Sequence, residues 1–214
     1  MNIELICEGL QFPEGPIAMA DGSIILVEIQ RKTLTRVTPD GKRETIADLG
    51  GGPNGAAIGP DGAVYVTNNG GSFAYHEVNG LNIPGATPAG YAGGSIQRVD
   101  LKTGAVTTLY TEAGGKRLEG PNDLVFDAQG GMWFTEHGTT TPTGRNHGGL
   151  CYALPDGSKI TRLRDGMIAP NGVGLSPDGK TVYTALTTER LVLAFDITGQ
   201  GKHADFDLFS YRAL

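Results

Sequence analysis

Short apolar runs recur along the chain, and glycine-rich turns separate them. Segments such as SIILVEI (23–29), AVYVTN (63–68), GMWFTE (131–136) and TVYTAL (181–186) alternate or run apolar, as half-buried and buried strands do. No segment of ten residues has a clear helical period. The pattern therefore predicts an all-β chain of short strands.

A proline followed by an oxygen-bearing side chain opens four similar units. The prolines are Pro13, Pro53, Pro121 and Pro170, so the units begin 40, 68 and 49 residues apart. Glycine comes next in three units, and Asp123 takes its place in the third. Internal repeats of this length are typical of solenoids, propellers and arrays.

Each unit is predicted to contain four antiparallel strands. The motif leads into a short strand, a turn of the PDG kind and a second strand. A variable loop, a third strand, another turn and a fourth strand follow. This is the plan of a β-propeller blade. The predicted blades cover approximately 13–52, 53–120, 121–169 and 170–214 of a single propeller domain.

The repeated oxygen-bearing residues are predicted to form a ring. In a meander blade the first strand lies beside the central channel, and the residue leading into it sits at the channel mouth. Glu14, Asn54, Asn122 and Asn171 hold that place in the four units. An asparagine before a strand often only satisfies turn backbone. Four such residues at one repeat position favour a shared ligand site.

Two long loops are predicted to open onto the same face as the ring. They cover residues 68–94 and 136–149 and are longer than most connections in compact domains. His137 lies in the second loop and is a candidate for proton transfer or substrate contact, because histidine titrates near neutrality. No G-x-S-x-G elbow occurs, so hydrolysis would have to be assisted by a metal.

Composition narrows the class of protein. Glycine accounts for 34 of 214 residues, more than twice the usual share of about 7%. The net charge of −6, without a basic run, argues against nucleic acid as a partner. Neither a membrane-spanning apolar stretch nor a signal sequence is apparent, which predicts a cytoplasmic protein without a membrane partner. Cys7 and Cys151 are expected to be reduced core thiols.

One carboxylate and several amide oxygens make a cage for a hard cation. Such a cage suits Ca²⁺ best and can also take Mg²⁺ or Mn²⁺. Zn²⁺ is chemically less preferred there. With few protein charges, the ion would keep positions open to water or substrate.

The motifs FPEGP, GPNG, GPNDLVFDAQGGMWFTEHG and APNGVGLSPDGKTVY resemble the gluconolactonase, regucalcin and senescence-marker-protein family, especially its bacterial lactonase branch. The resemblance runs from about Leu10 to Ile197. It implies a six-bladed propeller with one divalent metal in the central channel. It also implies hydrolysis of a sugar lactone or a related cyclic ester.

The resemblance assigns roles residue by residue. Glu14 and Asn171 match metal-binding residues, and Asn122 matches an asparagine that binds metal in some members and substrate in others. Asn54 holds the repeat position but is a less uniform ligand, so it is a substrate-binding candidate. Asp123, which follows Asn122, is a further substrate-binding candidate, although the period of two in a strand turns its side chain away from the channel. His137 completes the substrate-binding candidates.

Two departures from the family pattern affect the expected chemistry. Sugar-specific members have an arginine two residues before the Asn-Asp pair, where this chain has Gly120. The family's aspartate that binds metal and serves as candidate base belongs to the blade after the fourth, and Leu214 comes before it. The catalytic base is therefore unknown, with His137 as a weak substitute.

The sequence supplies about four of the six expected blades. Residues 1–12 would act as a strand that closes the last blade. Without closure, open strand edges invite self-association. Three interpretations remain: a fragment of a longer family member, an adapted four-bladed ring, or an open arc completed by another chain.

The leading hypothesis is a metal-dependent lactonase in which metal-activated water attacks the lactone carbonyl. The alternatives are an inactive fragment and a non-catalytic propeller that binds a metal, small molecule or protein on its loop face. A propeller of the strictosidine-synthase or paraoxonase kind is a third hypothesis, against which the paired PEGP and PNDL motifs argue.

Overall fold

The structure of the protein is a computed structural model that describes residues 3–141 and 143–203, together with the backbone of 212–213. Strands, turns and irregular segments make up these residues, and no helix occurs among them. In particular, the described residues contain no helix long and apolar enough to cross a bilayer. The all-β prediction is confirmed.

The first sheet is an antiparallel meander with its strands in chain order. Its strands are β1 (Pro13–Ala18), β2 (Ile24–Glu28), β3 (Thr33–Val37) and β4 (Arg43–Asp48). The turn between β1 and β2 forms because Asp21 accepts hydrogen bonds from the backbone N–H and the hydroxyl of Ser23. Gly22 adopts the left-handed backbone that this turn needs, with φ of 80°.

The second sheet repeats this plan, in the order β5-β6-β9-β10, with a hairpin inserted after its second strand. Its elements are β5 (Pro53–Ile58), β6 (Val64–Asn68), the hairpin β7 (Tyr75–Val78) and β8 (Leu81–Pro84), β9 (Ser95–Val99) and β10 (Val106–Tyr110). A small hairpin follows, made of β11 (Glu112–Ala113) and β12 (Lys116–Arg117).

The third and fourth sheets continue the series. The third contains β13 (Pro121–Phe126), β14 (Met132–Glu136), the inserted hairpin β15 (Thr140–Thr141) and β16 (Gly144–Arg145), β17 (Gly148–Ala153) and β18 (Ile160–Met167). The fourth contains β19 (Pro170–Leu175), β20 (Thr181–Leu186), β21 (Leu191–Gly199), β22 (Lys202–His203) and β23 (Arg212–Ala213). The fourth strand expected in the segment FDLFSY (206–211) lies outside the described residues.

The four sheets pack face to face in chain order, as consecutive propeller blades do. The first strands contact one another, β1 with β5, β5 with β13 and β13 with β19. A separate apolar cluster fills each interface between neighbouring sheets. Strand β14 serves two of them, because Phe134 faces the second sheet and Trp133 the fourth. Each such buried side chain stabilises the fold by about 1.5–3 kcal/mol.

Two expectations from the sequence are corrected. Residues 3–12 form no strand, and residues 1–2 lie outside the described residues. The segment instead lies against the first sheet, where the Gly9 carbonyl accepts hydrogen bonds from Arg31 and Arg43. Both cysteines are free thiols. Cys151 is fully buried in β17, but Cys7 is only partly buried because its segment lies on the surface.

Candidate functional site

The glycine of the repeated motif lets neighbouring first strands approach closely. A Cβ on Gly15 would lie 2.6 Å from the backbone nitrogen of Ala56, and Gly15 has φ of 53°. A Cβ on Gly55 would lie 2.7 Å from the Asn122 carbonyl oxygen. Real Cβ atoms do not come so close to other atoms, so only glycine allows this spacing. The close approach brings the residue before each glycine near its counterpart in the adjacent blade.

The structure places the four predicted ring residues at the same end of four adjoining first strands. Asn54 and Asn122 are 7% and 5% exposed, whereas Glu14 and Asn171, on the outer two strands, are exposed. Within the described residues, the side-chain amides of the three asparagines make no hydrogen bond to protein. The amides of Asn54 and Asn122 are not among the buried side-chain atoms without a partner, so they are open to a ligand, an ion or water.

The donor set fits a hard cation. The described residues contain no group of three or more His, Cys, Asp or Glu that could hold a metal ion. Any ion at the mouth would therefore depend on amide oxygens and one carboxylate, Glu14. Oxygen donors of this kind are the ligands that Ca²⁺ and Mg²⁺ prefer.

The surroundings of Glu14 disfavour the charged form of its carboxyl group. Desolvation raises the pKa of its carboxyl group, the Gly15 N–H opposes the rise, and the nearby Asp123 carboxylate adds to it. A bound cation would offset the desolvation and the repulsion together.

Asp123 bridges two blades rather than facing open space. One carboxylate oxygen accepts the N–H of Leu124, and the other accepts the N–H of Val173 in β19. Burial raises the pKa of this carboxyl group, and the two N–H groups lower it. Both carboxylate oxygens of Asp123 thus have partners within the protein. That Asp123 binds substrate stays a prediction.

A chain of aromatic contacts joins the segment before β1 to the second and third sheets and reaches the charge of Glu14 through Tyr75. The ring centroids of Phe12 and Tyr75 are 5.5 Å apart, those of Phe73 and Tyr75 are 6.5 Å apart, and Phe73 meets His137 at 6.4 Å. Burial, with the Glu14 charge, raises the pKa of Tyr75 to about 12. The Tyr75 hydroxyl is buried and has no partner among the described residues. In the sequence, the sign of this aromatic cover was the first long loop, which contains Phe73 and Tyr75.

His137 belongs to this aromatic cover through its contact with Phe73. Its imidazole does not titrate near neutral pH. Desolvation, and secondly the charge of Arg145, lower the pKa of His137 to about 4. The Arg145 guanidinium contacts the His137 ring and donates to its carbonyl oxygen at 2.8 Å. At pH 7 the imidazole is therefore neutral, which suits hydrogen bonding better than proton transfer. Sequence reasoning missed Arg145, whose only signal was its place in the second long loop.

The backbone explains why glycine stands where sugar-specific relatives are expected to have an arginine. Gly120 has φ of 81°, and a Cβ there would lie 2.9 Å from the Gly138 carbonyl oxygen. Its N–H donates to the Tyr91 hydroxyl, which in turn donates to the Asn69 carbonyl. A long side chain at Gly120 would therefore strain the entry to β13.

A second repeat, at the end of the second strands, was missed by sequence reasoning. The side chains of Glu28, Asn68 and Glu136 each accept the backbone N–H of a residue one or two positions before the first strand of the same sheet. Glu28 and Glu136 also pair with Arg31 and Arg162. The aligned residue of the fourth sheet is Leu186, whose side chain contains no hydrogen-bond acceptor. Because the three acceptors differ in type, no motif revealed them.

Four meander sheets whose first strands adjoin in chain order define the protein as a β-propeller. The chain matches the SMP-30/gluconolactonase/LRE-like region over residues 12–210, and it belongs to that family. This confirms the resemblance noted in the motifs. The gluconolactonase of Zymomonas mobilis is 28% identical over 204 residues, which cover 86% of this chain and 51% of the relative. The lactonase drp35 of Staphylococcus aureus is 26% identical over 87% of this chain and 51% of the relative.

Solved structures show the same fold. A gluconolactonase from Xanthomonas campestris superposes with a TM-score of 0.70 at 23% identity, over 94% of this chain and 61% of that one. A calcium-binding protein, regucalcin, from Agrobacterium tumefaciens superposes with a TM-score of 0.62 at 18% identity, over 91% and 59%. The chain spans about half the length of the curated relatives it matches.

Proposed function

We propose that the protein is a metal-dependent hydrolase that opens a lactone, either a sugar lactone or a related cyclic ester. The observation that carries the proposal is the placement of Asn54 and Asn122, whose side-chain amides have no hydrogen-bond partner among the described residues, on the first strands that follow that of Glu14 in chain order. Relatives named gluconolactonase and lactonase support this chemistry.

Glu14, Asn122 and Asn171 are the proposed ligands of one divalent cation, with Ca²⁺ preferred and Mg²⁺, Mn²⁺ or Zn²⁺ as alternatives. Such a cation, when bound, polarises a carbonyl and lowers the pKa of water. The name of the calcium-binding relative is consistent with this choice. Glu14 supplies the negative charge, and the two amides supply oriented carbonyl dipoles.

The remaining residues would bind and shield the lactone. The Asn54 amide has no partner among the described residues and can donate to a substrate oxygen, whereas the Tyr75 hydroxyl is enclosed within the protein. Phe12 and Phe73 would exclude water from one side of the site. His137 is neutral at pH 7 and accepts from Arg145 at Nδ1, so its Nε2–H can donate a hydrogen bond to a substrate oxygen.

The test is lactone hydrolysis followed by proton release, after chelation and after adding Ca²⁺, Mn²⁺, Mg²⁺ or Zn²⁺ in turn. The proposal expects turnover that depends on metal and is lost in Glu14→Gln. The matched control is Glu112→Gln, because Glu112 is exposed in β11, away from the ring. Turnover that survives chelation would contradict metal dependence. Metal binding without turnover would favour a binding propeller over a hydrolase.

A further inference from the structure

We infer that Thr67 and Thr135 are positioning residues, each of which orients the asparagine of the following blade. Thr67 acts on Asn122 and Thr135 acts on Asn171. The inference rests on the proposed function, because it treats those two asparagines as cation ligands.

Thr67 lies in β6 and connects its own blade to the next one. Its hydroxyl accepts the Gly55 N–H at 2.9 Å and donates to the Asn122 carbonyl oxygen at 2.5 Å. Thr67 has no exposed surface. Water therefore has no access to replace either hydrogen bond, and the hydroxyl sets the distance between β5 and the start of β13.

Thr135 repeats the same arrangement one blade later. Its hydroxyl accepts the Asp123 N–H at 3.2 Å and donates to the Asn171 carbonyl oxygen. Thr135 is also fully buried. Two independent blades thus use one threonine position to hold the backbone of the neighbouring ring asparagine.

The strand register identifies the aligned residues in the other two sheets. The position lies immediately before the strand-end residue that pairs with the motif proline: Glu28, Asn68, Glu136 and Leu186. Val27 and Ala185 therefore align with the two threonines, and neither can donate a hydrogen bond. Asn54, which follows the blade of Val27, consequently lacks this tether.

The tether matters because ligand geometry must be held within about 0.5 Å for tight binding. An asparagine side chain is attached at the Cα next to the carbonyl that the threonine holds. Fixing that carbonyl fixes the peptide plane and thereby the direction of the side chain. Residues that orient metal ligands typically change metal affinity 10–100-fold when they are lost.

The experiment compares isosteric and conservative variants of the whole chain by Ca²⁺ calorimetry. Thr135→Val removes the hydroxyl at nearly constant volume and should weaken Ca²⁺ binding about tenfold. Thr135→Ser keeps the hydroxyl and should restore wild-type affinity. Thr67→Val should also weaken binding, through Asn122.

Thr184→Val is the matched control. Thr184 is a buried threonine of the second strand β20, and its hydroxyl has no partner among the described residues. Its loss should leave Ca²⁺ affinity unchanged. Thermal melting of every variant shows that the comparison is made on folded protein. Equal affinities for Thr135→Val and Thr184→Val would overturn the inference.

A double-mutant cycle separates positioning from a general effect on the fold. In an Asn171→Ala background, Thr135→Val should cause no further loss of Ca²⁺ affinity, because the ligand that it orients is gone. A further tenfold loss there would overturn the inference while leaving the metal site intact. If Asn171→Ala alone leaves Ca²⁺ affinity unchanged, the proposed metal site itself is wrong.

Discussion

The Asp123 carboxylate accepts the backbone N–H of Val173 at 3.0 Å, which joins the first strands of the third and fourth blades. Asp123 stands where the other three blades have glycine. The side chain uses space that remains open beside Gly172, where a Cβ would come no closer than 3.8 Å to Asp123. The departure from the repeat therefore provides an interblade hydrogen bond.

Replacing Asp123 should reveal the value of that bond. Asp123→Ala leaves the Val173 N–H without its acceptor and should lower the free energy of unfolding by about 1–3 kcal/mol. Asp123→Asn keeps an acceptor and removes a desolvated charge, so it should be close to neutral. Because burial raises the pKa of Asp123, its contribution to stability is greatest at low pH and is lost as the pH rises through the folded-state pKa. Urea unfolding at pH 4 and pH 7 measures both effects; equal stability of the alanine and asparagine variants would contradict this account.

Glu14 and Asn54 should differ in their effect on metal binding. Glu14→Gln removes the one carboxylate of the ring and should reduce Ca²⁺ affinity at least about tenfold, since ligand charge sets affinity for this ion. Asn54→Ala should cost less, because Asn54 is proposed to contact substrate. Calorimetry with Ca²⁺ compares the two. Equal and negligible losses would mean that the ring binds no cation.

His137 should titrate well below a solvent-exposed histidine. Desolvation and the Arg145 charge lower the pKa of His137 to about 4, and an NMR titration of its ring protons measures that value. Arg145→Met removes only the second cause and should raise the pKa part of the way toward 6.5. Because the folded-state pKa is depressed, the stability contributed by neutral His137 is present above pH 6.5 and is lost as the pH falls toward 4. A midpoint near 6.5 in the wild-type protein would refute the buried arrangement.

Glu136 should be among the most sensitive positions outside the ring. Its buried carboxylate accepts the Glu119 N–H and pairs with Arg162, which is itself largely buried. Breaking a buried ion pair by removing one partner costs about 3–5 kcal/mol. Glu136→Ala should therefore lower stability by that order, and Glu136→Gln by less because an acceptor remains. Glu112→Ala is the exposed control, and chemical denaturation gives the comparison; a Glu136→Ala loss no larger than that of the control would contradict the role.

The sequence predicted the fold well because propeller blades are built from local signals. The alternation in AVYVTN and the PDG turns depend on residues close together in the chain, so strand and turn positions could be read directly. It was less successful for residues 3–12, whose predicted strand needs a hydrogen-bonding neighbour from elsewhere in the fold. The same holds for Cys7, whose apolar surroundings in sequence did not place it in a core.

The sequence by itself determined the repeat position of Glu14, Asn54, Asn122 and Asn171, because equal positions in repeated units become equal positions in space. Tertiary structure alone decided which groups hold and cover them. The Thr67 and Thr135 hydroxyls act across blades, over 55 and 36 residues of sequence, and their neighbours in the chain give no sign of this. The low pKa of His137 likewise depends on burial and on Arg145, which are properties of the packed loops. Strand periodicity depends on residues that are close together in the chain. The interblade hydrogen bonds of the threonines and the desolvation of His137 arise only when distant segments pack together.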